Sequence, residues 1–453
     1  MKWSQLSSAV AVGGILFLGY YNLQAETLTE AVDEVIQTNP EIRTIAHNRL
    51  ARDQEVRQAR SGYMPRLDVN AGIGTQEIYE PEDNSLTPSQ VQLSLRQNIF
   101  AGFADMNEVD RQEARVRSAA YHLQGTTENI ALKAAKVYID VLRNQELLAL
   151  SQQNLETHLR ISDQIGLRSD SGIGSRADSD QALGRVALAQ SNVVVTQTNL
   201  IDAKSNYLAV VGHLPGELQK PTSPDELIPV SLEQAEQIAL EKHPTLKSAE
   251  ADIEARREQY EVAKAPYMPI IDVEVDQTWE EDYDRLEGRD EDLTAMIRLR
   301  YNLFQGFKDQ ARKVETTQQI SEAQEIRNNT HRQVVESIRL SWMALQAVMD
   351  SVPYREERVR ATLATAEAYT KQFNLGKRTL LDVLDTEAEL INAKKDLVNT
   401  HYDGLYAQYR ILNGTGQLVT ALSLEWPEES RVDTNDQSER TPIKEQAVTA
   451  QTE

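Results

Sequence analysis

The sequence predicts an α+β membrane protein in which one unit of helices and paired strands occurs twice. Three observations support this fold class. The 453-residue chain matches itself at a constant offset of 204 positions, which indicates an internal duplication. Each copy contains two segments in which apolar and polar residues alternate, the period of β-strands. Each copy also contains long segments whose apolar residues are spaced by four and three, the pattern of packed helices.

The composition narrows the possible functions. The chain has 47 basic and 70 acidic residues, a formal charge of -23, and 40% hydrophobic residues. It is too polar for a polytopic helical membrane protein, and so negative a chain repels the phosphates of nucleic acid. Because cysteine is absent, a disulfide framework, a thiol nucleophile, a zinc-thiolate site and a lipid-anchored cysteine are excluded.

Several complete sequence motifs recur at the offset of 204 residues and support the duplication. The first repeat is expected at 26–211 and the second at 231–424, joined by a proline-containing linker at 212–230. The matched positions include Tyr63-Met64-Pro65 with Tyr267-Met268-Pro269, Asn98 with Asn302, Phe100 with Phe304, Gly102 with Gly306, Phe103 with Phe307, Gly172 with Gly376 and Asp178 with Asp382.

The chain begins with a segment that differs from the repeats. Residues 1–25 combine an early lysine, a short apolar stretch and a small residue at a plausible cleavage position, which is typical of a signal peptide. A retained membrane anchor is the alternative. Each repeat then opens with a short amphipathic helix that should stop at Asn39-Pro40 or His243-Pro244, followed by a second helix up to the Tyr-Met-Pro motif.

Strand pairs are expected at about 67–100 and 271–304, with acidic loops at about 77–89 and 280–292. Strands of about ten residues with one apolar face fit a transmembrane barrel. Two amphipathic hairpins on a soluble core are the alternative. Because four strands are too few to close a barrel in lipid, the membrane interpretation requires oligomerisation. The residues predicted to face lipid are Leu93, Leu95, Ile297 and Leu299.

Long helices are predicted at 104–170 and 175–211 in the first repeat and at 308–375 and 379–414 in the second. The first of them contains no proline and would be about 100 Å long, which exceeds the diameter of a compact domain. A soluble coiled-coil protein is the alternative, but it would leave the strand pairs and the signal peptide unexplained. Beyond the second repeat, residues 425–453 are acidic and poor in apolar residues, so we expect a disordered tail that solubilises the protein rather than binding a partner.

The turns between the long helices have matching sequences. Gly172 and Gly376 suit the left-handed residue that ends a helix. Ser175 and Thr379 each precede an aspartate by three residues, so the pairs Ser175/Asp178 and Thr379/Asp382 are predicted to be N-terminal capping boxes. Asp385 lies one turn beyond Asp382, where capping has no use for it, and it is expected to face solvent, a partner or a lumen.

These motifs together resemble the TolC family of outer-membrane export channels. The resemblance rests on the duplicated unit, the Tyr-Met-Pro entries, the junctions Asn-Ile-Phe-Ala-Gly-Phe and Asn-Leu-Phe-Gln-Gly-Phe, and the second turn, Gly-Lys-Arg-Thr-Leu-Leu-Asp-Val-Leu-Asp; it covers about 28–424. It implies a homotrimer with a 12-stranded barrel among outer-membrane lipids and a periplasmic helical tunnel. The tunnel would be opened by a membrane-fusion adaptor and an inner-membrane ABC transporter or other efflux pump. The first turn looks most like the subgroup for type I protein secretion; multidrug efflux is the alternative.

The resemblance also implies roles for residues at the turns. Asp382 and Asp385 match the acidic ring that constricts the tunnel, and Arg378 and Asp178 match a pair that links the tips. Phe373 stands where better-known members carry a tyrosine in that link, and a hydroxyl residue is replaced by Ala177, so fewer hydrogen bonds would hold the tip closed. The positions expected to contact the adaptor are Gly172, Ile173, Gly174, Ser175, Gly376, Lys377 and Thr379.

An enzymatic function is not supported by the sequence. The seven histidines have no metal-ligand spacing, and no glycine-rich phosphate loop is present. Asp382 and Asp385 could imitate a catalytic carboxylate pair, but no nucleophile or base is close to them in the sequence. We therefore expect no catalytic residue, no metal and no cofactor.

Overall fold

The structure is a computed structural model that describes residues 25–80, 84–172, 174–284 and 287–432. The predicted signal peptide, apart from its last residue, and the predicted tail beyond residue 432 lie outside the described residues. In the described residues, helices predominate, and the strands form one four-stranded sheet and one two-stranded pair.

The elements of the two repeats follow the same order. The first repeat contains α1 (Leu28–Thr38), α2 (Pro40–Arg60), β1 (Arg66–Ile73), β2 (Gln76–Ile78), β3 (Asn84–Leu86), β4 (Ser89–Ala101), α3 (Ala104–Asp170) and α4 (Arg176–Val211). The second contains α5 (Leu232–Lys242), α6 (Pro244–Lys264), β5 (Ile270–Glu281), β6 (Arg289–Arg300), α7 (Lys308–Asn374), α8 (Leu380–Gly414) and the short α9 (Leu418–Ala421). Helices α3 and α7 each have 67 residues, about 100 Å at 1.5 Å per residue. None of the described helices combines the length and apolarity needed to cross a bilayer.

Local signals explain where the short helices begin. Thr27 caps α1 and takes part in a reciprocal capping box. Asn39 and His243 are the equivalent N-caps of α2 and α6, and Pro40 and Pro244 follow them as the first helical residues. Proline suits this position because its missing N–H has no intrahelical partner there. The two repeats therefore turn from their first helix into their second by the same means.

The long strands form one antiparallel sheet in the order β1, β4, β5, β6, so the two repeats meet where β4 pairs with β5. Leu95 of β4 lies opposite Leu67 of β1 and Val275 of β5. This register places the predicted apolar face on one side of the whole sheet. Strands β1 and β6 each pair with one strand of the described chain, and each therefore has a free edge.

The opposite face of the sheet carries charged side chains. Asp272 and Glu274 lie on β5, an inner strand of the sheet, and are only 3% and 4% exposed although they are acidic. Glu274 pairs with Arg298 at 2.7 Å and with Arg96 at 3.1 Å, and Asp272 pairs with Arg300. Buried carboxylates are stable only when paired, so the arginines of the adjacent strands allow this face to hold a dense set of charges.

The loops between the strands differ from the prediction. The first predicted loop, 77–89, contains β3 and all but the first residue of β2, and these two strands pair with each other. The second, 280–292, is shorter than predicted, because β5 continues to Glu281 and β6 begins at Arg289. Cross-strand pairing here overrides the low strand propensity of acidic residues. The predicted strand up to 304 is also too long: β6 ends at Arg300, and the Asn302 side chain accepts a hydrogen bond from the Phe304 N–H in a local turn.

Each sheet-to-helix junction is a tight left-handed turn. Gly102 and Phe103 have φ of 62° and 66° before α3, and Gly306 and Phe307 have 61° and 64° before α7. A side chain at Gly102 would place its Cβ 2.6 Å from the carbonyl oxygen of Ala265. Glycine is therefore required here both by the backbone angle and by the close approach of α6's end. The repeated Phe-x-Gly-Phe motif is this turn.

The largest apolar cluster lies where α1, α2, α3, α4, α8 and α9 meet. Tyr138 and Tyr207 are fully buried in it. The Tyr138 hydroxyl donates to the carbonyl oxygen of Gln219 at 2.6 Å, and the Tyr207 hydroxyl donates to the carboxylate of Glu26. These bonds satisfy the polar ends of both rings, and they attach the start of the first repeat and the linker to the long helices.

Glu128 of α3 holds the end of the described chain in place. Its buried carboxylate accepts hydrogen bonds from the first two backbone N–H groups of α9, at 2.9 and 3.3 Å, and from Trp426 Nε1 at 3.0 Å. Burial outweighs these donors and raises the pKa of Glu128 to about 7. Ser430 is 1% exposed. The prediction of a disordered tail from residue 425 is therefore wrong for 425–432, because contacts distant in sequence anchor this segment.

Candidate gate at the helical tips

The turn between α3 and α4 is closed by a glycine and a serine cap. Gly172 has a φ of 75°, which glycine adopts without steric cost. Ser175 is the N-cap of α4, and its hydroxyl accepts a hydrogen bond from the Ala177 N–H at 3.2 Å. The predicted reciprocal capping box of Ser175 with Asp178 is wrong, because the serine hydroxyl bonds two residues ahead and not three. Asp178 lies in the first turn of α4, where the helix dipole favours a carboxylate.

The turn between α7 and α8 has the predicted capping box. Gly376 has a φ of 68°, and the Lys377 N–H donates to the Gln372 carbonyl at 2.9 Å. The Thr379 hydroxyl accepts from the Asp382 N–H at 3.3 Å, and the Asp382 carboxylate accepts from the Thr379 N–H at 3.2 Å. Hydrogen bonds from the side chain and backbone of Thr379 hold the pKa of Asp382 below its ordinary value. Asp382 is therefore ionised at neutral pH.

The positions expected to contact an adaptor lie at the accessible ends of the two helical hairpins. The exposed ones are Gly172, Ser175, Gly376, Lys377 and Thr379, and Gly174 is half-buried. Ile173 lies outside the described residues. Their accessibility agrees with a contact surface, and their role stays a prediction.

Arg378 contacts residues of its own hairpin. Its guanidinium lies over the ring of Tyr369 at 4.1 Å, Nε donates to Gln372 at 3.1 Å, and Nη1 is 3.8 Å from Asp382. Within the described residues of one chain, no ion pair joins Arg378 to Asp178. The tip link that the resemblance implies for these two residues stays a prediction.

Asp385 has an ionic partner that the sequence analysis missed. Its Oδ1 lies 2.9 Å from Arg185 Nη2 of α4. The two side chains are 57% and 30% exposed, so the pair is only partly shielded from solvent. The signal in the sequence is weak: opposite charges occur at similar distances from the two turns, but nothing local shows that α4 and α8 are adjacent.

Phe373 belongs to an apolar contact between the two hairpins. Its ring packs against a buried cluster formed by Ile161, Ile165, Ala182, Leu380, Val383 and Leu384. The guanidinium carbon of Arg168 lies 4.8 Å from the ring centroid, within the range of a cation–π contact. A phenylalanine at this position therefore joins the hairpins through packing and a cation, without the hydroxyl of a tyrosine.

The residues predicted to face lipid share the apolar face of the sheet. Leu95, Ile297 and Leu299 are 39%, 76% and 62% exposed in the single chain, and Leu93 is half-buried. Side chains of neighbouring strands surround them with further apolar groups, among them Val69 opposite Leu93. The face is continuous, and its contact with lipid stays a prediction.

A profile of the family described as "Outer membrane efflux protein" matches residues 31–213 and 236–417, which together form most of the chain. The chain belongs to this family. The two matched segments correspond to the two structural repeats, and the family is one of transport channels.

Individual relatives agree with this assignment. The chain is similar to the outer membrane efflux protein BepC of Brucella suis biovar 1 (strain 1330), 25% identical over 418 residues, which cover 91% of this chain and 90% of BepC. It is also similar to the outer membrane protein TolC of Escherichia coli (strain K12), 25% identical over 430 residues, 89% of this chain and 85% of TolC. The solved structure of the outer membrane protein VceC from Vibrio cholerae has a TM-score of 0.74 at 16% identity, covering 86% of this chain and 96% of VceC.

The resemblance to the TolC family and the predicted fold class are confirmed by these findings. The fold is that of the TolC-like channels: one sheet of four long strands per chain, from which long helices continue. The chain is an outer-membrane exit duct of an export system and extends into the periplasm.

Proposed function

We propose that the chain forms a homotrimer that conducts the substrate of an inner-membrane ABC transporter to the outside, and that this substrate is a protein. The observation that carries the proposal is the sheet with one exposed apolar face, one charged face and two free edges, continuous with helices about 100 Å long. A sheet of this kind is stable in lipid only when its edges are closed.

The trimer follows from strand number. Four strands per chain and three chains give 12 strands, enough to enclose a lumen. Apolar side chains along α7 also support association, because Leu340, Met343, Met349 and Tyr354 are each more than half exposed in the single chain. A detergent-requiring trimer is expected from sedimentation of the purified protein. A monomer that stays dispersed without detergent would contradict the proposal.

A periplasmic adaptor would bind the exposed turns at the hairpin ends. Capping interactions at Ser175 and Thr379 make the backbone of both turns regular, which suits recognition by a rigid partner. Arginine substitution of Gly376 should weaken adaptor cross-linking, both because of its bulk and because φ there is 68°. The same substitution at Gly216, in the linker, is the control.

Protein secretion is favoured over drug efflux by the first turn, Gly-Ile-Gly-Ser-Arg-Ala-Asp, which looks like that of the secretion subgroup. The names of the family and of BepC point instead to efflux, so efflux is the second candidate. Deleting the chain from its host separates them. Loss of a large protein from the medium with unchanged drug susceptibility supports secretion, whereas drug hypersensitivity with an unchanged set of secreted proteins supports efflux.

We also propose that the chain transports without catalysing a reaction. Among the described residues, no group of histidine, cysteine, aspartate or glutamate is arranged to hold a metal ion. Asp382 is engaged in capping α8, and Asp385 is paired with Arg185. The hydroxyl that donates to Asp382, that of Thr379 at 2.8 Å, is itself the N-cap of α8, and the Asp382→Asn variant should leave any hydrolytic activity in the preparation unchanged.

A further inference from the structure

The two helical hairpins of one chain touch near their tips at two levels. Close to the turns, Phe373 of α7 packs on the apolar cluster and under Arg168 of α3. Farther from the turns, Arg185 of α4 reaches Asp385 of α8 at 2.9 Å. Arg185 is nine residues beyond the first residue of α4, and Asp385 is five residues beyond that of α8, which places the pair about 8 to 14 Å from the turns.

The Arg185–Asp385 pair differs from the other ion pair at the tip. Arg378 and Asp382 belong to the same hairpin, so their separation does not change when one hairpin moves against the other. The separation of Arg185 from Asp385 must change, because the two residues lie on different hairpins. Among the ion pairs of the described tip residues, Arg185–Asp385 is the one that joins the α3–α4 hairpin to the α7–α8 hairpin.

A second crossing pair lies much farther from the tip. Arg143 of α3 and Asp403 of α8 are 2.8 Å apart, and Asp403 is 23 residues beyond the first residue of α8, about 35 Å away. This region adjoins the largest apolar cluster, which includes Val398 and Tyr402 of α8. A rotation of the α7–α8 hairpin about this anchored region would displace Asp385 more than Asp403.

A buried histidine of α3 lies within electrostatic range of Arg185. His158 of α3 is 6% exposed, and its Nδ1 has no hydrogen-bond partner in the described chain. Burial, together with the charge of Arg185, lowers the pKa of His158, so the imidazole is neutral at pH 7. His158 therefore adds no second positive charge near Arg185, and the ion pair of the guanidinium is with Asp385 of α8.

We propose that Arg185 is a gate-positioning residue: its ion pair with Asp385 holds the α7–α8 hairpin against the α3–α4 hairpin when the tip is closed and breaks when the tip opens. The inference rests on the proposed channel function. It also assigns Asp385 a second role, because in the closed state its charge is compensated within the chain, and opening would release three uncompensated carboxylates at the tip of a trimer.

The test is a double-mutant cycle on the full-length trimer in planar bilayers. The variants are Arg185→Gln, Asp385→Asn, both together, and the exchange Arg185→Asp with Asp385→Arg. Arg358→Gln is the matched control, because Arg358 forms a 2.8 Å pair with Asp396 at comparable exposure but within one hairpin. The thermal stability of each trimer is measured alongside, so that a folding defect is recognised.

A second readout is independent of conduction. The chain has no cysteine, so cysteines introduced by Gln190→Cys in α4 and Glu389→Cys in α8 can be spin-labelled without background. Both positions are exposed. Labelled chains are diluted with unlabelled chains in the trimer, so that the distance within one chain is measured by pulsed electron resonance.

We expect each single variant and the double variant to raise the resting open fraction of the channel to the same extent, about two- to five-fold for a partly exposed ion pair. The exchange should restore the closed state, and the label distance should lengthen in the single variants and recover in the exchange. Additive single effects, an equal effect of Arg358→Gln, or an unchanged label distance would overturn it. If the wild type does not conduct but the label distances follow this pattern, the channel function fails and the tether stands.

Discussion

Arginine on the apolar face of the sheet should impair membrane insertion in proportion to its depth. Leu95 is the middle residue of β4 (Ser89–Ala101) and is 39% exposed. A tilted strand advances about 2.4 Å per residue along the membrane normal. The 13 residues of β4 then span about 30 Å, the thickness of the hydrocarbon core, so Leu95 should lie at the midplane.

Leu299 belongs to the same face but is one residue from the end of β6 (Arg289–Arg300). At the same advance per residue it lies about 11 Å from the midplane. Leu95→Arg should therefore cost about 2 to 4 kcal/mol per chain, or about 6 to 12 kcal/mol for three chains, and Leu299→Arg about 0 to 1 kcal/mol per chain. Ser94→Arg is the control on the opposite face, where the Ser94 hydroxyl lies 2.5 Å from Asp276 and a guanidinium would meet that carboxylate.

The assay is the yield of heat-sensitive trimer in outer-membrane fractions separated by density. Leu95→Arg should abolish the trimer band, Leu299→Arg should reduce it slightly, and Ser94→Arg should leave it close to wild type. Equal yields for Leu95→Arg and Ser94→Arg would mean that the faces are assigned wrongly. Equal loss for Leu95→Arg and Leu299→Arg would refute the depth argument.

In the folded protein the pKa of Glu128 is raised to about 7 from 4.5. The folded state therefore binds the proton more tightly, and the free energy of unfolding should increase by up to about 3 kcal/mol as the pH falls from above 7 toward 4.5. Between pH 8 and pH 5 the melting temperature of the wild type should rise relative to that of Glu128→Gln, and a constant difference would contradict the raised pKa. Gly102→Ala should lower the melting temperature more than Gly306→Ala. Both glycines have a positive φ, which costs alanine about 1 to 2 kcal/mol. Of the two positions, only Gly102 would also bring the new Cβ against a backbone oxygen, at 2.6 Å. The double variant Asp382→Ala with Asp385→Ala should lower cation selectivity and weaken block by multivalent cations from the periplasmic side, since carboxylates near one axis attract cations. Recordings in planar bilayers measure both properties. Unchanged selectivity would mean that the two residues serve only in helix capping and in surface ion pairing.

Features that depend on neighbouring residues were predictable from the sequence. The bounds of α3 follow from a proline-free amphipathic stretch between a Gly-Phe turn and the Gly172 turn. The capping box at Thr379 follows from a three-residue spacing, and the apolar face of the sheet follows from alternation along each strand. These features are set by backbone angles, hydrogen bonds within a turn and side-chain periodicity, all of which a short stretch of sequence specifies.

Contacts between distant parts of the chain were decided by the tertiary structure alone. Asp385 is 200 positions from Arg185, and Glu128 is 298 positions from Trp426, so neither partner could be recognised locally. The order of strands, with β4 beside β5, depends in the same way on how the two repeats pack. A charged or acidic residue shows only its chemistry in the sequence; the fold determines whether it is paired or buried, because distance and desolvation depend on what packs against it.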